Sequence, residues 1–327
     1  MDDILNYTYG STVFKYQIFD SGNDKFISII GAATDCNELE FPEEINNIPV
    51  TTIAKEAFSS STFTAVSFHR NIQSIGELAF YNSNLEKVNF SEGIKEIGVS
   101  AFSNTNIKNI VLPNSLKTIC DSAFEESPLT TITFGKNLEK IGNSAFSNCN
   151  FTSFSIPDSV KVVGDNILFD NLKLRSLHIG KQAKITDCIT DCCMALEEIS
   201  INPSNPHHAV IDNVLYTKNI DALIMYPSSK KDKTFKIPKS VKELKHRSFS
   251  FCFNLKDIYI SNNYISGLND SSLQISSPVV HCRPNTVVSK FCSFYGVPML
   301  PITNSKINEF VESLDDDVSK DAANIKK

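Results

Sequence analysis

No run of apolar residues in this 327-residue chain approaches the roughly 18 that a membrane-crossing helix needs. Positive charge is not in excess either. Lys and Arg number 31 against 37 Asp and Glu, a net charge of −6, which gives a nucleic-acid partner little electrostatic support. The first residues, Met1-Asp2-Asp3, lack the basic-then-apolar layout of a secretory signal. The last, Asn324-Ile325-Lys326-Lys327, form no prenylation box. From these ends a cytoplasmic location is the expectation. The chain also lacks a phosphate-binding loop, a nucleophile elbow and a metalloprotease string. Acids such as Glu86 and Asp121 read as solvent-facing residues, not as an acid/base pair. No enzymatic activity and no cofactor is expected.

A disulfide framework is not indicated. The nine cysteines are an odd number, and they fall at packing positions. Cys149 lies three residues after Phe146, and Cys252 three after Phe249. The same slot holds Ser61, Ser83, Thr105 and Ser127 elsewhere. Small residues fill it, and a reduced Cys behaves as a small buried hydrophobe. Cys188, Cys192 and Cys193 cluster, but at no zinc spacing. His207-His208 is the one adjacent histidine pair, in a Pro-rich loop that reads as solvated. A metal or enzyme role for these cysteines and histidines is the alternative of another class. Four N-x-S/T strings occur, at Asn6, Asn89, Asn150 and Asn269; chance accounts for them unless the chain enters a secretory route.

A repeat is the dominant positive signal. The string I-x-x-x-A-F occurs five times, with its isoleucine at Ile53, Ile75, Ile97, Ile119 and Ile141, 22 residues apart each time. A second pattern keeps step with it: Phe63…Val66…Phe68, Leu85…Val88…Phe90, Ile107…Ile110…Leu112, Leu129…Ile132…Phe134 and Phe151…Phe154…Ile156. A fixed period in this range marks a solenoid, in which coils stack along an axis. Within the coil Leu85 to Phe102, Val88 and Phe90 point inward from a short strand while Lys87 and Asn89 point outward. Ser91-Glu92-Gly93 makes a corner. Ile94 and Ile97 enter the core from a second extended segment, and Ala101-Phe102 fold back on a short helical or 3-10 turn. Gly76, Gly98, Gly142 and Gly164 follow their anchors, but Ala54 and Cys120 hold the same place. A tight turn preferring a small residue is therefore expected there, not a required positive φ.

In chain order, residues 1–36 read as an N-terminal capping hairpin. Phe14, Tyr16 and Ile18 alternate, Asp20 to Asp24 turn, and Phe26 to Ile30 return. Residues 37–201 form the solenoid, which decays after Phe146: Val163 and Ile185 keep the anchor period, but Ile167-Leu168-Phe169 and Thr190 replace Ala-Phe. The next anchor, Leu244, comes 59 residues after Ile185. Residues 202–237 are accordingly read as an inserted loop and a β-hairpin, Val214 to Pro227, projecting from one coil. Residues 238–300 hold the last repeat, its last clear strand at Leu255…Ile258…Ile260. An irregular stretch at 261–285 and a capping helix carrying Val287, Phe291 and Phe294 follow. Residues 301–327 read as a charged tail in which Ile307, Phe310, Val311 and Leu314 have helical spacing.

The copies "IKNIVLPNSLKTICDSAF" (Ile107 to Phe124) and "FTSFSIPDSVKVVG" (Phe151 to Gly164) resemble the unit of the BspA-like leucine-rich repeat family. The insertion "NVLYTKNIDALIMYP" resembles a hairpin variant found in such arrays. The likeness covers roughly residues 37–260. It implies an α/β, mostly β fold: a right-handed leucine-rich repeat solenoid with parallel strand ladders. It also implies a non-enzymatic, protein-binding role, as in bacterial and protozoan surface proteins that bind host matrix proteins, other bacteria or host cells. A surface antigen or adhesin reached by unconventional export, and a cytosolic scaffold, are the two versions of that role. A protein partner and a monomer are expected. The candidate partner-binding surface is the outward strand face: Lys87, Asn89, Asn109, Val111, Thr131, Thr133, Ser153, Ser155, Ser176, His178, Ser200 and Tyr259. Short hydroxyl and β-branched residues there also favour the strand itself. His178, Tyr259 and the hairpin at Val214 to Pro227 are the least strand-like features.

Overall fold

The protein is described by a computed structural model that covers residues 3–20, 22, 24–267 and 278–302. Asn269, the spaced apolar residues Ile307 to Leu314 and nearly all of the expected tail lie outside these. The fold is a mostly-β solenoid with parallel strand ladders and very little helix. Its chain divides into two units, Met1–Phe151 with Ser159–Asn171, and Thr152–Asp158 with Leu172–Lys327.

In the first unit the 22-residue period becomes vertical register. Ile53, Ile75, Ile97, Ile119, Ile141 and Val163 pair in turn across parallel two- to six-residue strands. All six are buried. On the other wall, Glu38–Glu40, Ala65–Ser67 and Lys87–Asn89 form one parallel ladder, and Asn109–Val111 and Thr131–Thr133 another. The phenylalanines of the repeat stand in a file between the walls. Phe58, Phe80, Phe102, Phe124 and Phe146 stack with ring centroids 5.2–5.6 Å apart and planes within 14° of parallel. Offset stacking of this kind adds to the area each ring buries.

The segment expected as a short helical turn has an unusual build. Its N–H groups alternate in direction. Ala79 and Tyr81 donate three residues back, to Gly76 and Leu78 oxygens, while Phe80 and Asn82 donate to Ala101 and Ser103 of the next coil. The alternation needs left-handed residues, and they recur: Glu56, Leu78, Ser100, Ser122, Ser144 and Asn166 have φ of 51–58°. A second left-handed set follows four residues later, from Ser60 to Asp170. A 3-10 helix cannot continue through such residues. The glycine after the anchor is not among them. A Cβ on Gly76 would stand 2.8 Å from Ile53 O, and one on Gly98 2.7 Å from Ile75 O, so it is the approach of neighbouring coils that favours small residues there.

The N-terminal cap is larger than a hairpin. Three antiparallel strands, β1 (Leu5–Tyr9), β2 (Thr12–Asp20) and β3 (Lys25–Ala33), precede the stack. β3 pairs in parallel with Ile48–Ile53 and so carries the cap into the ladder. β1 was not expected on sequence: its alternation, Leu5, Tyr7 and Tyr9 against Asn6 and Thr8, is short and its residues remain largely exposed.

In the second unit the expected hairpin is present but does not project. Val214–Thr217 and Ala222–Met225 pair antiparallel. A further strand, His208–Ile211, joins ahead of them from a stretch read as loop. Every residue of Ala222–Met225 is buried, and Leu223 lies in parallel register with the anchor Leu244. The insertion thus supplies the ladder strand one step before Leu244. The region 261–285 is not wholly irregular either. Val279–Cys282 adds to a parallel sheet ordered Thr234–Ile237, Asp257–Ile260, Val279–Cys282, Met299–Pro301. Helix α1 (Val287–Tyr295) is capped by reciprocal Thr286 and Ser289 hydrogen bonds and closed by left-handed Gly296 at φ 68°. It buries Val288, Phe291 and Cys292, whereas Val287 and Phe294 face solvent, Phe294 at 81%.

Candidate functional site

The twelve expected face residues all lie on ladder strands, but in four separate sheets. In the first unit, Lys87, Asn89, Asn109, Val111, Thr131 and Thr133 are exposed. Asn89, Asn109 and Thr131 bond from coil to coil. Asn89 donates to Ser67 Oγ at 3.0 Å, Ser67 donates to Glu38 at 3.3 Å, and Thr131 donates to Asn109 Oδ1 at 2.5 Å. These contacts stitch the ladder laterally. Val111, 66% exposed, is the apolar exception.

In the second unit, Ser153–Ser155, Ser176–Ile179 and Glu198–Ile201 form one sheet, with Ser155, His178 and Ser200 in one row. His178 Nδ1 lies 3.0 Å from Ser200 Oγ. Tyr259 belongs to the other parallel sheet, where the row across the strands reads Lys236, Tyr259, His281, Leu300. The Tyr259 and His281 rings stack at 4.2 Å and 11°. His281 Nε2 lies 2.7 Å from Asp257 Oδ1 on the same face, and Leu300 is 53% exposed. A base, an acid, an aromatic pair and an apolar side chain thus share one patch. Sequence reading missed His281, Asp257 and Leu300. The available signal was the period: Val280 and Cys282 follow Ile258 and Ile260 by 22 residues.

The cysteine and histidine alternative has no geometric support. Cys188 and Cys193 are buried, and burial pushes the Cys188 thiol up to about 12. The thiols of Cys149 and Cys252 are also raised by burial. Thiols held protonated in this way are poor nucleophiles and poor metal ligands. His207 is exposed, but His208 is buried, against the reading of a solvated pair. Its Nε2 accepts the Ile185 N–H at 2.8 Å. Among the described residues no three His, Cys, Asp or Glu side chains converge as metal ligands.

The slot after the phenylalanine is chemical as well as steric at positions 127, 149 and 171, whereas the Ser61 and Ser83 hydroxyls there are buried without a partner. Ser127 Oγ donates to Phe102 O at 2.8 Å, Cys149 Sγ to Phe124 O at 3.4 Å, and Asn171 Nδ2 to Phe146 O at 2.8 Å. Hydroxyl, thiol and amide each satisfy a carbonyl buried in the preceding coil.

No curated protein sequence matches this chain. Among solved structures, the pneumococcal vaccine antigen PcpA is similar at 25% identity and a TM-score of 0.59, over 78% of this chain and 64% of that one. The chain thus spans somewhat less than two thirds of that antigen's structure. A leucine-rich cell surface protein from Faecalibacterium prausnitzii shares the fold at 19% identity and a TM-score of 0.58, over 94% of this chain and 97% of that one. So does a leucine-rich repeat protein from Bacteroides ovatus, at 21% identity and a TM-score of 0.56, over 84% and 70%. The model of the BspA type leucine-rich repeat region matches residues 32–150, 117–231 and 218–325. With nearly the whole length accounted for, this chain belongs to the BspA-type leucine-rich repeat family.

Proposed function

We propose that this chain is a non-enzymatic protein-binding module of the surface-antigen or adhesin type. It engages a protein partner through its outward strand faces, foremost the patch of Lys236, Asp257, Tyr259, His281 and Leu300. The carrying observation is the stacked Tyr259–His281 pair beside Asp257 and an exposed leucine. Aromatic residues with a few polar partners are what protein interfaces concentrate at their centres. The likeness to a protein named as a vaccine antigen supports display at the cell surface.

Two experiments test this. Capture of partners by the parent chain and by the double variant Tyr259→Ala/His281→Ala should differ by about tenfold or more for the true partner, with Glu86→Ala as an unaffected control. Equal capture by all three removes the patch from the reading. Immunolabelling of intact, unpermeabilised cells should give a signal; label appearing only after permeabilisation moves the reading to a cytosolic scaffold.

A further inference from the structure

The outermost strand of the first unit is unprotected. β1 ends the sheet and, among the described residues, pairs on one side alone, with β2. Its sequence, Leu5-Asn6-Tyr7-Thr8-Tyr9, has no charge, proline or glycine. Natural edge strands are usually blunted by lysine, proline or a bulge, because their unpaired N–H and C=O groups recruit another strand. The far edge of the second unit's sheet is blunted in that way: it is three residues long and ends in Pro301, which has no N–H.

β1 also carries an unfinished apolar row. In its register with β2, Leu5 faces Tyr16, Tyr7 faces Phe14 and Tyr9 faces Thr12, so all three lie on the face that buries Phe14 and Tyr16 in the core. Leu5 and Tyr9 nevertheless remain 38% and 45% exposed. An added strand would extend that row and cover it.

We propose that the occupant is a second copy of this chain, with β1 pairing antiparallel to its counterpart about a two-fold axis at Tyr7. This register is self-complementary. Tyr7 faces the partner's Tyr7, Leu5 faces the partner's Tyr9, and Asn6 faces the partner's Thr8. Aromatic–aromatic and aromatic–aliphatic pairs of this kind stabilise antiparallel strands. The strand itself carries no charge, so no like-charge contact falls within the paired rows. The two sheets join into one, and the interface is isologous and closes as a dimer. This departs from the monomer expected on sequence.

Light scattering on the full chain from low to high micromolar concentration tests the dimer. The mass should double with concentration. Tyr7→Lys places like charges face to face and should raise the dissociation constant about tenfold or more, with the circular dichroism unchanged. Tyr7→Cys should give a covalent dimer under mild oxidation beyond any formed by the parent, because directly opposed Cα atoms about 4.5–5.5 Å apart can be bridged. Asn6→Cys, which does not face itself, should cross-link less. A single monomer mass at every concentration, a dimer indifferent to Tyr7→Lys, or cross-linking no better from position 7 than from position 6 each overturns the proposal. So does a monomer whose β1 instead takes up an extended peptide from another protein.

Discussion

The two units are built from the same coil but hold it to different tolerances. In the first, anchors recur every 22 residues and five phenylalanine rings form one stack. In the second, Ser176 pairs 23 residues beyond Ser153 and Asp257 pairs 23 beyond Thr234, while Glu198 and Val279 keep the step of 22. The file gives way there to a mixed cluster in which Tyr226 packs against Phe235 and Phe249, and Thr190 donates to Met225 Sδ. Both ladders run through the longer step without a register shift. The lesson is that ladder register survives changes that the interior file does not. The second unit, with the less regular interior, also carries the mixed aromatic and charged patch.

Four measurements can break or sharpen this contrast, with hydrogen exchange reading each unit separately. Phe102→Ala removes one ring from the middle of the file and should destabilise the first unit by about 3–5 kcal/mol, leaving exchange in the second unit unchanged. Equal loosening of both units would refute the idea that the file is local.

The second concerns His208. Burial, with the neighbouring His207, depresses its imidazole to about 4, well under the ordinary value near 6.5. Between those values the unfolded chain binds the extra proton and the folded chain does not. Stability contributed by neutral His208 is therefore whole above pH ~6.5 and is lost as pH falls toward 4, at about 1.4 kcal/mol per pKa unit. Protonation would also turn the acceptor of the Ile185 N–H into a donor. Melting temperatures at pH 7 and 5 should fall further for the parent than for His208→Gln; parallel slopes would remove His208 as the cause.

Third, Asn171→Ala removes the side-chain hydrogen bond to the buried Phe146 carbonyl, while Leu168 O keeps the backbone N–H of residue 171, and should destabilise the first unit by about 1–3 kcal/mol. Asn171→Ser should recover part of that loss, since Ser127 makes the same bond; no recovery would mean the slot is steric only. Last, Glu86→Ala on the exposed surface should change stability by less than about 0.5 kcal/mol, and a larger shift would mean the inside and outside of the coil are misassigned.

Much of the first unit was legible in the sequence, and for a physical reason. A core position repeated in register must satisfy the same neighbours each time, so Phe80, Phe102, Phe124 and Phe146 declare themselves by period. The left-handed residues did not declare themselves. Glu56, Leu78 and Ser100 are not residue types that announce positive φ; the conformation is imposed by hydrogen bonds to the next coil. The donor role of Ser127, Cys149 and Asn171 did not show either, because hydroxyl, thiol and amide share no single residue type to recognise. In the second unit, Val280 and Cys282 kept the period without the Ala-Phe that flags a coil, and the patch built on His281 went unread with them. The inserted strand Ala222–Met225 is buried on both faces, and four apolar residues in a row do not say which way they face.

The hydrogen-bonded tiers also constrain how such a chain can change its length. Asn104 donates to Asn82, and Asn82 to Ser60, each link spanning one period. Removing residues from this segment would break the links on either side of it, whereas loss or gain of a whole coil would leave each remaining rung facing a chemically equivalent one. Copy number, therefore, is the dimension along which relatives of this protein are free to diverge, and reach can be tuned by duplication with no redesign of the interior.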